Sequence, residues 1–232
     1  VVAVTDDLRQ RFLDQGRLVG HRVTVVVNGI EAPFLERVAR AVTRQGPRNP
    51  AAPRLVYAGN LAVFQGIDAL LAAFSRLHRR RPEVELHLLT NGDFSAFREV
   101  SERLGILPAI RVRAVTLEDL PAELVAADVL VNPRMQCSGI PQKLLNYMAS
   151  GRPIVSFAGS AKLVEDGVTA RVVEDGDVEA FAAAIGSLLD HPDVAERLGE
   201  AAQDLLKREY GWPTAARTME SIYARIQTPE PG

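Results

Sequence analysis

The sequence predicts an α/β fold in which a parallel sheet carries helices on both faces. Three observations lead there. Short apolar runs alternate with longer amphipathic segments, the order expected of strand–helix–strand units. Val129, Leu130 and Val131 form a short apolar run suited to a strand buried on both faces, as in a parallel sheet. Residues 129–157, VLVNPRMQCSGIPQKLLNYMASGRPIVSF, read in full as strand, loop, helix and strand, with polar residues gathered where loop meets helix.

Taken in order, strands are predicted at 55–58, 84–89, 110–114, 129–131, 154–157 and 170–173. Helices are predicted between them near 67–80, 94–104, 117–127 and 141–150, and three more near 178–189, 193–210 and 214–226 finish the chain. The stretch 43–53, TRQGPRNPAAP, keeps no periodicity and is punctuated by Pro and Gly, so it reads as a linker. The tail 228–232 reads as a frayed end. Pro141 is expected in the first turn of its helix, where a missing N–H leaves nothing unpaired. Free backbone N–H groups at that terminus, with the helix dipole, suit an anion. Gly151 is expected to stop the helix before the strand that Ile154 opens.

Composition narrows the function. Hydrophobic residues make up 47% of the 232, enough for a filled core, and a net charge of −2 gives no electrostatic case for a nucleic-acid partner. No run approaches the ~20 apolar residues that span a bilayer, and no signal peptide is evident. The expectation is a soluble, cytoplasmic protein. The single Cys137 excludes an internal disulfide framework and reads as a small packing residue. His21, His78, His87 and His191 are not spaced to ligate a metal. The basic run at 78–81 reads as a helix end that complements the dipole and meets water.

Several motifs, linked in order, carry a resemblance. Pro133, then Ser138-Gly-Ile-Pro141, then Lys143-Leu-Leu-Asn-Tyr-Met-Ala-Ser-Gly151 with Pro153-Ile-Val155 resembles the donor-site motif of retaining glycosyltransferases of the GT-B fold, family 4. Leu55-Val-Tyr-Ala-Gly-Asn60 followed by Gln65-Gly-Ile-Asp68 resembles that family's first strand, glycine loop and helix. Glu165-Asp-Gly167, Glu174-Asp-Gly-Asp177, Leu188-Leu-Asp-His-Pro192 and Tyr210-Gly-Trp212 resemble its C-terminal end. The resemblance implies the C-terminal half of a GT-B fold, a Rossmann-like sheet. Residues 1–42 would be the remnant of an N-terminal acceptor domain, 43–53 the interdomain linker, 54–210 the nucleotide-sugar donor-binding domain, and 211–232 a C-terminal helix and tail. It also implies that this piece alone is inactive without the missing N-terminal domain.

By the same resemblance, donor-binding positions fall on Gly59, Asn60, Gln65 and Gly66 after the first strand. Arg134, Ser138, Gly139, Ile140 and Pro141 follow in the donor loop, with Lys143, Leu144 and Asn146 on the helix. The charges differ from the family pattern. Where the family carries Arg and Lys for the donor diphosphate, this chain has Asn60 and Gln65; where it carries two glutamates, this chain has Ser138 and Asn146. Amides and hydroxyls keep their hydrogen-bonding capacity, at roughly half the strength of charge-assisted contacts. Arg134, Lys143 and Lys162 are candidates to restore positive charge. Lys143 and Asn146, three apart, share a helix face, while Leu144, Leu145 and Met148 turn to the core. Tyr147 is expected to pack with its hydroxyl at the rim. The resulting expectation is a retaining transferase moving a sugar from a nucleotide-diphosphate sugar to a glycan or lipid-linked acceptor, with no cofactor and no metal. A lipid-linked acceptor would bring it to the inner face of the membrane. The alternatives are a non-catalytic subunit that binds a nucleotide sugar or a partner enzyme, and a GT-B sugar-nucleotide epimerase.

Overall fold

The computed structural model describes residues 1–16, 23–46, 49, 51–137 and 139–227. Ser138, His21, the tail 228–232 and residues 47, 48 and 50 of the linker stretch therefore lie outside the described residues. Six strands form one wholly parallel sheet: β3 (Arg54–Ala58), β4 (Glu85–Leu89), β5 (Ile110–Arg113), β6 (Val129–Asn132), β7 (Ile154–Phe157) and β8 (Arg171–Val173). They follow two N-terminal strands, β1 (Val2–Ala3) and β2 (Thr24–Val25), which pair in parallel as a separate small sheet around α1 (Asp6–Asp14). Thr5 caps α1 by accepting a hydrogen bond from the Leu8 N–H at 3.2 Å.

The large sheet runs in the order β5-β4-β3-β6-β7-β8. The chain builds outward from β3 to one edge, then returns to the middle and builds toward the other. β3 and β6 thus flank the topological switch point, where open α/β sheets leave a crevice at their C-terminal ends.

Alternation along each strand fills the two faces with different partners. On one side Leu55, Tyr57, Leu86, Leu88, Val129 and Val155 meet α3 (Ile67–Arg80) and α7 (Val178–Asp190). On the other, Val56, Ala58, Leu130 and Ile154 meet α5 (Leu120–Val125), α6 (Gln142–Ser150) and α8 (Pro192–Glu209). α4 (Ser95–Arg103) follows β4, α2 (Ala32–Arg44) packs on α5 and α6, and α9 (Trp212–Gln227) ends the described chain. No helix among the described residues is long and apolar enough to cross a membrane.

All six strands and all seven helices expected beyond residue 54 are present, with shifted ends. The helix expected over 117–127 shortens to α5, because Pro121 sits in its first turn and Thr116 and Asp119 close a hydrogen-bonded turn ahead of it. Pro141 is the N-cap of α6 rather than a member of its first turn, with an extended ψ of 115°. Gly151 ends α6 in the left-handed region at φ 67°, as expected. The basic run on α3 does more than meet water: Arg80 pairs with Glu179 at 2.9 Å and Arg81 with Asp190, tying α3 to α7.

Candidate functional site

A cleft of about 540 Å³ opens at the switch point. Its floor is Ala58 at the end of β3, Gly59 and Asn60 just after it, and Thr90, Asn91 and Gly92 after β4. Val115, Leu120 and Leu124 form an apolar wall, and Gln142, Lys143 and Asn146 of α6 form a polar one. Gln142 and Asn146 also line an adjoining cavity of about 260 Å³ beside Gly29, Glu31 and Trp212. Lys143 is the one charged side chain among the described residues lining the main cleft.

The polar wall is positioned from beneath. Tyr147 has no exposed surface. Its hydroxyl accepts from the Ala58 N–H at 2.8 Å and donates to the Val131 carbonyl at 3.3 Å. The expectation of a hydroxyl at the rim is thus corrected: it is a buried bridge between β3 and β6, and burial pushes its pKa upward. Leu144, Leu145 and Met148 lie in the core as expected. Leu144 therefore acts on the cleft only through the helix it anchors.

Lys143 is held by neutral groups. Its Nζ donates to Gln65 Oε1 at 2.6 Å and to the Tyr57 hydroxyl at 3.2 Å, and lies 4.4 Å from the centre of the Tyr57 ring. Tyr57 in turn donates to the Asn60 carbonyl at 2.6 Å. Burial first, and then the like charge of Arg134, bring the Lys143 pKa down from 10.5 to about 7. Gly59 is required here, since a Cβ would stand 2.9 Å from the Tyr57 hydroxyl and 3.2 Å from Lys143 Nζ. Gly66, at φ 74°, brings the turn bearing Gln65 against the donor loop; its Cβ would fall 2.1 Å from the Pro133 carbonyl oxygen.

The remaining expected positions are dispersed around this centre. Asn60 lies at the floor, its Oδ1 accepting from the Ala62 N–H at 3.2 Å. Arg134 stands 5.0 Å from the centre of the Phe64 ring and donates to the Gln136 carbonyl at 2.6 Å, and it is not in the lining of the cleft. Gly139 and Ile140 are half-buried ahead of α6, and the Cys137 thiol donates to the Gly139 carbonyl at 2.9 Å. Lys162 does not join the cleft. It lines a different cavity and pairs with Asp7 of α1 at 2.6 Å. Sequence reasoning passed over Thr90 to Gly92 and the apolar wall. An apolar strand ending in Thr-Asn-Gly at a sheet's C-terminal edge was the signal available.

Among the described residues no cluster of His, Cys, Asp or Glu could hold a metal ion. The cleft can thus offer a ligand an apolar slot, several amides and backbone groups, and a single amine.

The profile of the family described as glycosyl transferases group 1 matches residues 52–191. A glycogen synthase of Mycobacterium tuberculosis is 31% identical over 206 residues, covering 87% of this chain and 48% of its own length. A GDP-mannose-dependent alpha-(1-6)-phosphatidylinositol monomannoside mannosyltransferase of Mycolicibacterium smegmatis is 29% identical over 184 residues, 75% of this chain and 48% of that protein. The chain thus spans about half the length of these relatives. Among solved structures, a glycosyltransferase from Rickettsia africae superposes with a TM-score of 0.83 at 18% identity, over 99% of this chain and 64% of that one. Anabaena HepE in complex with UDP does so at 0.83 and 16%, over 97% and 63%. At such identities the structures show a shared fold.

Proposed function

Because this chain belongs to the group 1 glycosyl transferases, we propose that it is the donor-binding half of an enzyme that moves a sugar from a nucleoside-diphosphate sugar to a glycan or lipid-linked acceptor with retention of configuration. One observation carries the reading beyond family membership. The cleft at the switch point has no carboxylate in its lining among the described residues, and its one charged side chain is the amine of Lys143. An anionic ligand is favoured there and a cationic one is not. The base would enter the apolar slot of Val115, Leu120 and Leu124. The diphosphate would lie between Gly59 and the start of α6, whose N-cap Pro141 offers no side chain to the free N–H groups. Stabilising the charge that develops on the leaving diphosphate would then be the main catalytic contribution of this half. A retaining transfer through such a site needs no carboxylate nucleophile, since the departing phosphate oxygen can take the acceptor's proton. The acceptor would be held by the rest of the protein, and a lipid-linked one would place the enzyme at a membrane face.

A cleft lining without a carboxylate among the described residues also favours a second reading, a non-catalytic subunit that binds a nucleotide sugar. Both are separated by assaying the full-length protein with UDP- and GDP-sugars for transfer and donor hydrolysis, and reading product configuration by NMR. Turnover with retained configuration supports the enzyme. Tight donor binding with neither transfer nor hydrolysis selects the subunit, and inverted product removes the retaining mechanism.

A further inference from the structure

Lys143 is a half-buried amine whose hydrogen-bond partners carry no charge. Its two hydrogen-bond acceptors, Gln65 Oε1 and the Tyr57 hydroxyl, are neutral, and it forms no ion pair among the described residues. An ammonium has three N–H groups to donate. Two are taken here, and the cleft that the third can serve is kept open by the missing side chain of Gly59.

We propose that Lys143 is the cation that meets the donor diphosphate, that it trades Gln65 and Tyr57 for the phosphate oxygens, and that donor binding is thereby coupled to proton uptake. The inference rests on the donor reading above. The groups facing Lys143 are few. From β3 comes Tyr57, itself held protonated by burial. From the loop after β6 come Arg134, whose charge opposes the ammonium, and Cys137, which favours it weakly. From α6 come the neutral Gln142 and Asn146, and the turn before α3 contributes only Gln65. None of these offsets desolvation, which brings the pKa of the free amine down to about 7.

A diphosphate against the amine would hold it protonated well above that point. The free form then loses its proton as pH rises while the bound form keeps it, so affinity falls with pH. Nucleotide sugars suit the test because their diphosphate, esterified at both ends, has no titration of its own in this range. Gln65 acts as a rest for the side chain: it holds the amine over the Tyr57 ring without adding a charge that the donor would have to displace.

The experiment is calorimetric titration of the 232-residue chain with UDP-glucose and GDP-mannose at about pH 6.5 and about pH 8.5. It uses buffers of differing ionisation heat, with uridine and guanosine as phosphate-free controls. Whichever nucleotide sugar binds should bind on the order of tenfold more weakly at the higher pH, with close to one proton taken up per donor there. Lys143→Arg, which stays charged throughout, should bind without the fall. Lys143→Met should bind weakly at both pH values while nucleoside binding is kept, circular dichroism confirming its fold. Donor affinity independent of pH, or wild-type affinity in Lys143→Met, overturns the proposal and leaves the donor reading standing. Equal loss of nucleoside and nucleotide-sugar binding in Lys143→Met overturns it as well, by showing a disturbed helix. No binding of any probe to the wild-type chain overturns the donor reading, and the proposal with it.

Discussion

Holding the half-buried Lys143 ammonium against an amide and a phenol costs the fold stability whenever the amine is protonated and no anion is near. The sign of its pH dependence follows from the two pKa values. In the unfolded chain the amine titrates near 10.5, and in the fold at about 7. Between those limits the unfolded chain holds more protons, so stability rises with pH, and the penalty is complete at and below about pH 7. Lys143→Met keeps the stem and removes the charge. It should raise stability by roughly 2–3 kcal/mol at about pH 6, less than the ~5 kcal/mol the whole shift represents because two hydrogen bonds go with the charge, and the gain should shrink steadily toward about pH 10. Urea unfolding across that range reads this directly, and a gain independent of pH would assign the effect to packing instead. The residue scale is also where sequence reasoning reached least far. That Lys143 and Asn146 share a face follows from helical spacing alone. That Gln65 receives the amine does not, because the approach depends on Gly66 at φ 74° and on a 3-10 turn, Val63–Gln65, that no periodicity announces. The exposure expected for the Tyr147 hydroxyl failed for a related reason: the helix start fixes the direction of the ring, but only the strand spacing shows that Ala58 lacks an acceptor.

Between elements, the shortest pairing in the large sheet lies beside the candidate cleft. β3 and β6 pair through Leu55 with Val129 and Val56 with Leu130, and beyond that the strands diverge to form the cleft. The Tyr147 hydroxyl bridges the divergence. Tyr147→Phe leaves the Ala58 N–H buried without an acceptor, so a loss of about 1–3 kcal/mol is expected in chemical denaturation. A loss well below that range would mean that β3 finds another acceptor. Gly66 closes the same seam on the other side. Gly66→Ala combines an unfavourable φ with a Cβ 2.1 Å from the Pro133 carbonyl oxygen, whereas Gly105→Ala meets a similar φ, 71°, with nothing within 4 Å. The first should cost at least about 2 kcal/mol more than the second in paired thermal melts. Equal costs would show that the donor loop gives way freely. Element identity was legible in the central strands because apolar runs such as Val129–Val131, buried on both faces, contrast with the helices between them; the edge strand β5, exposed at Arg111, Val112 and Arg113, was legible from its place in the strand–helix alternation. Element ends were less so, since caps such as Pro141 and the turn at Thr116 and Asp119 act locally against the pattern.

At the scale of the whole molecule, segments far apart in the chain meet beside the cleft, at the adjoining cavity that Gly29 and Trp212 line. Ile30 donates its N–H to the Tyr210 carbonyl at 2.9 Å and bridges to Gly211, and α2 then packs along α5 and α6, the helices that wall the cleft. The fold class was legible from strand–helix alternation, and the general place of the site from the rule that such sheets bind ligands at their switch point. This crossing was not legible, because it joins residues nearly the full chain apart through backbone atoms that carry no side-chain signature. Gly29 makes the contact close: a Cβ there would stand 2.6 Å from the Trp212 nitrogen and 2.9 Å from its Cα. Gly29→Ala should therefore push the start of α9 away at a cost of about 1–3 kcal/mol, the range for overpacking a fitted contact. The effect should be local, because the central strands make none of their hydrogen bonds through this crossing. Hydrogen exchange of the variant should show faster exchange in α2 and α9 and unchanged protection in β3, β4 and β6. Since α2 supports α5 and α6, a nucleotide sugar should also bind more weakly although no cleft residue has changed. Uniformly faster exchange would mean that the crossing supports the whole sheet, and unchanged exchange in α9 would mean that the backbone contact at Trp212 carries no strain.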